Sequence, residues 1–324
     1  MRVFWCILLA IWPLCGSALD IKGTDYMGLR EVAGRFGMQT RWIEKGQTLA
    51  LESKWTKMSF TIHKREMSLN GNRIFLGYPV AESSGRLYLS TSDFTHQLKP
   101  ILTPQSNGKV PKLHHIMLDP GHGGKDPGAE NAAIGLREKT LTLDLAKRVA
   151  RQLQAHGFRV SLTRQDDRFH SLETRAQKAN QEKADLFVSL HFNATGSGSV
   201  SGVETFAFTP PFQPSSSRTK LHSSDRKAWP GNINSGWNAL AAYYVQRSLI
   251  KATGATDRGL KRARFTVLRD LQMPGLLVEG GFVTNNTEGR NIGSAAYRDK
   301  LAKAIVDGIL VYQRSLDRHS VKAK

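Results

Sequence analysis

Residues 114–124 are His-His-Ile-Met-Leu-Asp-Pro-Gly-His-Gly-Gly, an apolar run that ends in a glycine-rich turn around His122. The run predicts a buried strand over 115–119, and glycine lets the following chain turn tightly and approach other groups closely. In open α/β sheets, functional groups gather beyond the carboxyl ends of strands, where His122 would lie. The turn lacks both Gly-x-Gly-x-x-Gly and a terminal Lys-Ser/Thr, which disfavours a phosphate-binding loop.

The chain after this stretch alternates between apolar strand patterns and helices with a 3.6-residue period. Strands are predicted at 115–119, 158–163, 185–190, 202–208, 265–268 and 276–279, and helices at 138–156, 171–184, 237–252 and 295–312. This alternation predicts a layered α/β domain over 114–316, with a roughly six-stranded twisted sheet flanked by helices. Segment 209–236 has no periodicity, and both a functional loop and a disordered insertion fit it.

A smaller α+β domain is predicted over 19–100, ahead of the α/β domain. Its pattern indicates a helix at 27–36, strands at 48–52, 59–63 and 86–90, and a tight turn at Asn70-Gly71. Residues 101–113 have the composition of a linker, and 317–324 form a basic tail. The small domain is a candidate envelope-binding module.

The N-terminus has the pattern of a signal peptide over 1–18. Met1-Arg2 precedes an uncharged run from Val3 to Cys15, too short for the roughly 20 residues that span a bilayer, and Gly16 and Ala18 suit cleavage before Leu19. We therefore expect an exported protein without a transmembrane segment in its mature form, periplasmic or extracellular and associated with the cell wall. Because both cysteines lie inside the signal, the mature chain has no disulfide.

The composition is strongly basic. Forty-six Lys and Arg against 27 Asp and Glu give a net charge of +19. Such a charge favours adsorption to polyanions, which include nucleic acid, anionic lipid and anionic envelope polymers. The chain has no recognisable nucleic-acid-binding motif and an export signal, so we expect no nucleic-acid partner. The sequence indicates no particular activating protein.

Four side chains stand out at predicted strand ends and at one helix start. His122 and His191 follow apolar strands, Glu279 ends another before two glycines, and Glu138 opens a helix. Taken singly, a carboxylate in a first helical turn is explained by the helix dipole, and a lone histidine is usually structural. Together, two histidines and a carboxylate form a known catalytic zinc set with one position open for water, and a further carboxylate can act as a base.

Four motifs make the resemblance specific: Asp119–Gly128, Gly135–Lys139, Ser189–Asn193 and Val278–Phe282. They resemble the motifs of the zinc-dependent N-acetylmuramoyl-L-alanine amidases called Amidase_3, over roughly 114–312. The resemblance implies Zn²⁺ on His122, Glu138 and His191, Glu279 as the catalytic carboxylate, and peptidoglycan as the substrate. Residues 19–100 distantly resemble the N-terminal stalk module of copper amine oxidases, which implies no metal chemistry.

The sequence also suggests roles for side chains outside this set. Asn193 is two residues after His191, on the same side of an extended segment, so it would hold a tetrahedral oxygen or contact a ligand. Asp119 and Asp126 are expected to form turns. Basic residues of 209–236, together with Trp229, form a hypothetical substrate contact. Two other functions stay open: a different zinc-dependent amide hydrolase of the envelope, such as a peptidase or deacetylase, and a non-catalytic wall-binding protein.

Overall fold

The computed structural model describes residues 19–320, so the predicted signal peptide and the end of the predicted basic tail, 321–324, lie outside the described residues. The strands are β1 Leu19–Ile21, β2 Thr24–Gly28, β3 Gln39–Glu44, β4 Thr48–Glu52, β5 Lys57–Thr61, β6 Glu66–Leu69, β7 Asn72–Phe75, β8 Ala81–Ser83, β9 Arg86–Ser90, β10 His115–Pro120, β11 Glu130–Asn131, β12 Leu136–Arg137, β13 Arg159–Leu162, β14 Leu186–Asn193, β15 Val203–Phe208, β16 Asp257–Ala263 and β17 Gly275–Phe282. The α-helices are α1 Leu29–Arg35, α2 Thr91–Asp93, α3 Lys99–Leu102, α4 Glu138–Ala155, α5 Leu172–Gln181, α6 Ser235–Thr253, α7 Thr266–Arg269, α8 Asn286–Gly293 and α9 Ala295–Ser320.

Eleven strands form one mixed sheet, in the order β13-β10-β14-β17-β15-β16-β7-β6-β5-β4-β3. The first six strands in this order come from the region after residue 114, and the last five come from the N-terminal region. Strands β13, β10, β14 and β17 run parallel, whereas β15 and β16 run in the opposite direction. This arrangement confirms the predicted layered α/β class: the region after residue 114 contributes six strands, as predicted, and the sheet continues into five strands of the N-terminal region.

Helices cover both faces of the six-stranded part because its strands are apolar on both sides. On β17, Leu276 and Val278 face the core cluster under α4, α6 and α9, while Leu277 faces the second cluster, under α5 and α7. Parallel strands that are buried on both faces are near-continuous apolar runs, and the first half of β17, Gly-Leu-Leu-Val, is such a run. None of the helices within 19–320 is both long and apolar enough to cross a membrane.

The strands of the N-terminal region continue the sheet beyond β16. Strand β7 pairs in parallel with β16, with Ile74 opposite Leu260, and both side chains are buried in the same core cluster. Arg262 of β16 is also buried and donates from Nε to Oε1 of Gln97 at 2.8 Å and from Nη1 to the carbonyl of Phe208 at 2.9 Å. Burial lowers the pKa of Arg262 to about 10. The two regions therefore share one sheet and one core.

Segment 209–236 contains two short 3-10 turns, Ser223–Arg226 and Pro230–Asn232, and Asn234 near its end donates to the carbonyl of Gln272, just before β17. It also contacts the N-terminal region. Tyr78 donates its hydroxyl to the carbonyl of Phe212 at 2.7 Å, and Gln213 donates from Nε2 to the buried carboxylate of Asp93 at 2.8 Å. The segment is therefore a bridge between the two regions.

All four helices predicted after residue 114 are confirmed, and the last one continues to Ser320. The strand predicted at 265–268 is wrong, because these residues enter α7, whose Val267 and Leu268 pack under the sheet as one helical turn. The sixth strand is β16, whose apolar pattern is hidden because Arg262 occupies a buried position. The predicted linker begins inside α3 and contains a 3-10 turn at Pro104–Asn107. The residue limits of the two domains stay predictions.

Candidate active site

Neighbouring strands bring three of the four singled-out side chains to one edge of the sheet. His191 of β14 is opposite Glu279 of β17, and Glu279 is opposite Glu204 at the start of β15. Strand β10 lies on the other side of β14 and ends at Pro120, so the turn that carries His122 emerges at the same edge. The carboxyl edge of the parallel strands is thus the site that the sequence predicts.

The turn after β10 holds His122 in an unusual backbone conformation. Its φ of 60° lies in the left-handed region, which costs a non-glycine residue free energy and is concentrated at functional sites. Gly121 must be glycine, because a Cβ there would collide with the ring of His191. The rings of His122 and His191 therefore lie close together, with centroids 4.9 Å apart.

Two buried arginines fix this turn from below. Arg175 donates from Nη1 to the carbonyl of Pro120 and from Nη2 to that of His122, each at 2.7 Å. Arg164 donates from Nη2 to the carbonyl of Gly121 at 2.8 Å. Since unpaired buried carbonyls are costly, these bonds stabilise the strained conformation around His122.

Asp119 anchors Arg175 and does not form a turn, contrary to the sequence prediction. The carboxylate is fully buried and accepts hydrogen bonds from Arg175 at 2.8 Å, Thr163 at 2.6 Å and Ser189 at 2.7 Å. Burial raises the pKa of Asp119, but the Arg175 guanidinium and these hydrogen bonds outweigh it, so the pKa lies below its usual value. Asp119 is therefore an ionised structural centre beneath the site.

Glu138 is the first residue of α4 and is buried between the two histidines. Its Oε2 lies 3.1 Å from Nε2 of His122, and its Oε1 lies 3.0 Å from Nδ1 of His191. Backbone N–H groups of Ala129 and Phe192 donate to the same two oxygens. Burial raises the pKa of Glu138, but the hydrogen bonds with both histidines outweigh it and lower the pKa far below its usual range.

These three side chains fit a metal ion. Within residues 19–320, His122, Glu138 and His191 are the one group of three or more candidate ligands whose donor atoms all lie within 4.8 Å of one another. Nitrogen and carboxylate ligands about 2.0–2.2 Å from a tetrahedral zinc ion would be roughly 3.4 Å apart, so small adjustments suffice. Asp126 accepts from Nδ1 of His122 at 2.8 Å, the contact that orients a metal-binding histidine. Asp126 also forms the turn that the sequence predicts, because its Oδ1 accepts a hydrogen bond from the N–H of Gly128.

Glu279 is the fourth predicted side chain, and it differs from the other three in having an unsatisfied atom. Its Oε2 is buried and has no hydrogen-bond partner among the described residues. Burial raises the pKa of Glu279 well above its usual value, the carboxylates of Glu138 and Glu204 add to the effect, and Lys261 opposes it. A carboxyl group with a raised pKa beside a candidate metal site is suited to accept and return a proton.

Asn193 contacts protein groups rather than an open space above the site. Its Nδ2 donates to Oε1 of Glu204 at 2.8 Å, and its Oδ1 accepts from the N–H of Ala194 at 2.8 Å. Glu204 in turn pairs with Arg258 at 3.0 Å and with Lys261. The sequence offered no signal for Glu204, because Arg258 and Lys261 are more than 50 residues away in the chain.

The basic residues of 209–236 do not belong to this site. The segment follows the end of β15, which runs antiparallel to β17, so it leaves the sheet at the edge opposite Glu279. Its contacts are at that edge: Asn232 donates to the carbonyl of Thr209, and Asn234 donates to that of Gln272, just before β17. That these basic residues contact substrate stays a prediction, and any such contact would lie at the edge of the sheet opposite Glu279.

An α/β sheet that brings a His-Glu-His cluster and a buried glutamate to its carboxyl edge defines a class of protein, the enzymes with a metal site of this kind. The family model described as N-acetylmuramoyl-L-alanine amidase matches residues 116–311, and the chain belongs to this family. The model described as copper amine oxidase N-terminal domain matches residues 17–107, which confirms the second resemblance.

Individual relatives agree with the family assignment. The N-acetylmuramoyl-L-alanine amidase LytC of Bacillus subtilis (strain 168) is 39% identical over 61% of this chain, a segment that spans only 35% of LytC. The amidase AmiA of Escherichia coli (strain K12) is 30% identical over 64% of this chain and 79% of AmiA. Among solved structures, the N-acetylmuramoyl-L-alanine amidase from Clostridium difficile 630 is 34% identical with a TM-score of 0.53, covering 63% of this chain and 98% of that one.

Proposed function

We propose that this chain is a peptidoglycan hydrolase that cleaves the amide bond between N-acetylmuramic acid and the L-alanine of the stem peptide. One observation carries the proposal: the domain that matches the amidase family places His122, Glu138 and His191 around one point, beside the unsatisfied Oε2 of Glu279. This arrangement supports a ligand set and a proton acceptor at the candidate site.

The ligands of the proposed Zn²⁺ ion are His122, Glu138 and His191. When bound, the ion supplies a Lewis acid for the scissile carbonyl and lowers the pKa of a water molecule towards neutrality. Asp126 keeps the ring of His122 in the tautomer that presents Nε2, and the backbone N–H groups of Ala129 and Phe192 keep the Glu138 carboxylate in place. These contacts hold the proposed ligands in place.

Glu279 is the proposed base and acid of the reaction. Its Oε2 accepts a proton from the attacking water, whose oxygen bonds to the carbonyl carbon of the lactyl group. The same oxygen atom of Glu279 then delivers the proton to the L-alanine nitrogen as the carbon–nitrogen bond breaks. Burial, which raises its pKa, lets Glu279 hold the proton between these two transfers. Asn193 positions Glu204 next to Glu279 and has no contact with the reacting atoms in this proposal.

The proposed place of action is outside the cytoplasm, at the cell wall. This part of the proposal is supported by the signal-peptide pattern of residues 1–18 and by the net charge of +19, which favours anionic envelope polymers or lipid. The region 19–100 stays a candidate envelope-binding module.

Product analysis on purified peptidoglycan tests the activity. The wild-type mature chain is expected to release intact stem peptides that begin with L-alanine, while Glu279→Ala retains zinc and releases none. Cleavage inside the stem peptide would instead show a peptidase, and release of acetate would show a deacetylase. Zinc binding or wall binding without any product from the wild type would contradict the hydrolase assignment.

A further inference from the structure

The shared sheet places one hairpin tip of the N-terminal region on the same edge as the candidate active site. Strand β16 starts at this edge next to Glu204, and β7 runs parallel to β16, so β7 also starts there. The strands from β7 back to β4 are successive antiparallel neighbours. Consequently the turn between β4 and β5, residues 53–56, lies on the catalytic edge as well.

This turn presents Trp55 to solvent. The residue is 79% exposed, and Nζ of Lys54 lies 4.7 Å from the ring centroid. The turn is ordered from within, because Oγ of Ser53 accepts from the N–H groups of Trp55 and Thr56, and Ser53 N–H donates to the Thr56 carbonyl at 2.8 Å. A large aromatic side chain held on a rigid turn outside the core is suited to contact a ligand.

A polar groove of about 420 Å³ runs across β5, β6 and β7 to the start of β16, next to the edge that carries the turn of Trp55, and Trp55 itself is not part of its lining. Ser59, Ser68 and Arg73 stand opposite one another on β5, β6 and β7, so their side chains share one face of the sheet. The intervening residues, such as Phe60, point to the core on the other face. The start of β16, at Asp257, closes the groove towards Glu279.

The distance along this edge from Glu279 to the groove indicates how long a ligand must be to contact both. From β17, the order β15, β16, β7, β6, β5 makes five steps, or about 24 Å at roughly 4.8 Å per strand spacing. A single amide substrate at Glu279 cannot extend so far, whereas a polymer can. Hydroxyl groups of sugars suit the Ser and Arg side chains of the groove, and the C–H face of a pyranose ring packs on an indole.

We propose that Trp55 and the polar groove bind the glycan strand of peptidoglycan and that the shared sheet holds this surface at a set distance from Glu279. This inference rests on the proposed function, since it assigns a further contact to the same polymeric substrate. Trp55 of this surface is 79% exposed, Arg73 is exposed, and Ser59 and Ser68 are partly exposed.

Binding to insoluble peptidoglycan tests the proposal without requiring catalysis. The full exported chain carrying Glu279→Ala is cosedimented with purified peptidoglycan, alone and with Trp55→Ala added. Stacking of a sugar covers about 60 Å² of the indole, and at about 25 cal/mol per Å² its loss weakens binding about tenfold. Ile233→Ala is the matched control, because Ile233 is also 79% exposed but lies on segment 209–236 at the opposite edge. This control is expected to bind as well as its parent.

Competition identifies the part of the substrate that is bound. Peptide-free glycan strands should displace the Glu279→Ala chain from peptidoglycan. Its Trp55→Ala derivative should need a higher concentration of these strands. Displacement of both chains at the same concentration would show that Trp55 has no role. Unchanged sedimentation of the Trp55→Ala derivative, or competition by free stem peptides but not by glycan, would overturn the proposal. If the wild type releases no amidase products but binding still depends on Trp55, the proposed activity fails while the glycan surface stands.

Discussion

Replacing Arg175 with methionine tests whether the strained turn around His122 depends on the buried ion pair beneath it. Arg175 is 3% exposed and donates to Asp119 at 2.8 Å as well as to the carbonyls of Pro120 and His122. Removing one partner of a buried pair leaves an uncompensated charge, at a cost of about 3–5 kcal/mol. Against a total stability of roughly 5–15 kcal/mol for a native protein, the Arg175→Met chain should fold but unfold at much lower urea concentration.

The pH dependence of this loss has a definite sign. In the wild type the pKa of Asp119 is lowered, so its stabilising contribution is present above the unfolded value of about 3.9 and is lost as the pH falls through the folded pKa. Without Arg175, burial is the largest effect on Asp119 and raises its pKa. Protonation then relieves the buried charge, and the stability difference between wild type and Arg175→Met should shrink as the pH falls from 7 towards 4.

Urea unfolding at several pH values provides the measurement, with two further variants as controls. Arg168→Met removes an exposed pair with Asp166 and should cost well under about 1 kcal/mol. Adding Asp119→Asn to Arg175→Met should recover part of the loss, because no charge is then left buried. A loss of stability below about 1 kcal/mol, or one that is the same at pH 7 and pH 5, would refute this reasoning.

Three further predictions concern the site and the shared sheet. Asp126→Ala should weaken zinc binding about 10- to 100-fold, measured by competition with a chelator, because the ring of His122 loses its orienting acceptor; unchanged affinity would contradict that role. Glu204→Gln should move the acidic limb of the activity profile to lower pH, because removal of a neighbouring carboxylate lowers the pKa of Glu279; a shift to higher pH would show that Glu204 acts otherwise. Deletion of residues 19–100 should expose the edge of β16 and cause aggregation, measured by light scattering, and a monodisperse truncated protein would argue against the need for this cover.

The side chains of the candidate site could be singled out from sequence because they lie next to strong local signals. His122 lies among glycines after an apolar strand, and Glu279 precedes two glycines at the end of another. Parallel strands bring their carboxyl ends to one edge, so four separate motifs imply one site.

Long-range polar contacts carry no such local signal. Glu204 owes its place beside Glu279 to antiparallel pairing of β15 with β17, in a sheet whose other site strands are parallel. The pairing of β7 with β16 was equally hidden, because it joins residues almost 200 positions apart and involves a strand whose buried Arg262 breaks the apolar pattern. Composition suggested two units and a linker, but composition contains no information on whether two sheets merge.

The burial of Arg262 limits how residues 114–316 could be joined to the modules of other proteins. Its guanidinium donates to the carbonyl of Phe208 in its own domain, and to Gln97 Oε1 and the carbonyl of His96 in the N-terminal region. A chimera that joined residues 114–316 to a foreign wall-binding module would retain the charge and lose two of these three acceptors. Exchange of modules by cutting at the apparent linker would therefore need a second substitution, Arg262 to an apolar residue, before the hybrid could fold well.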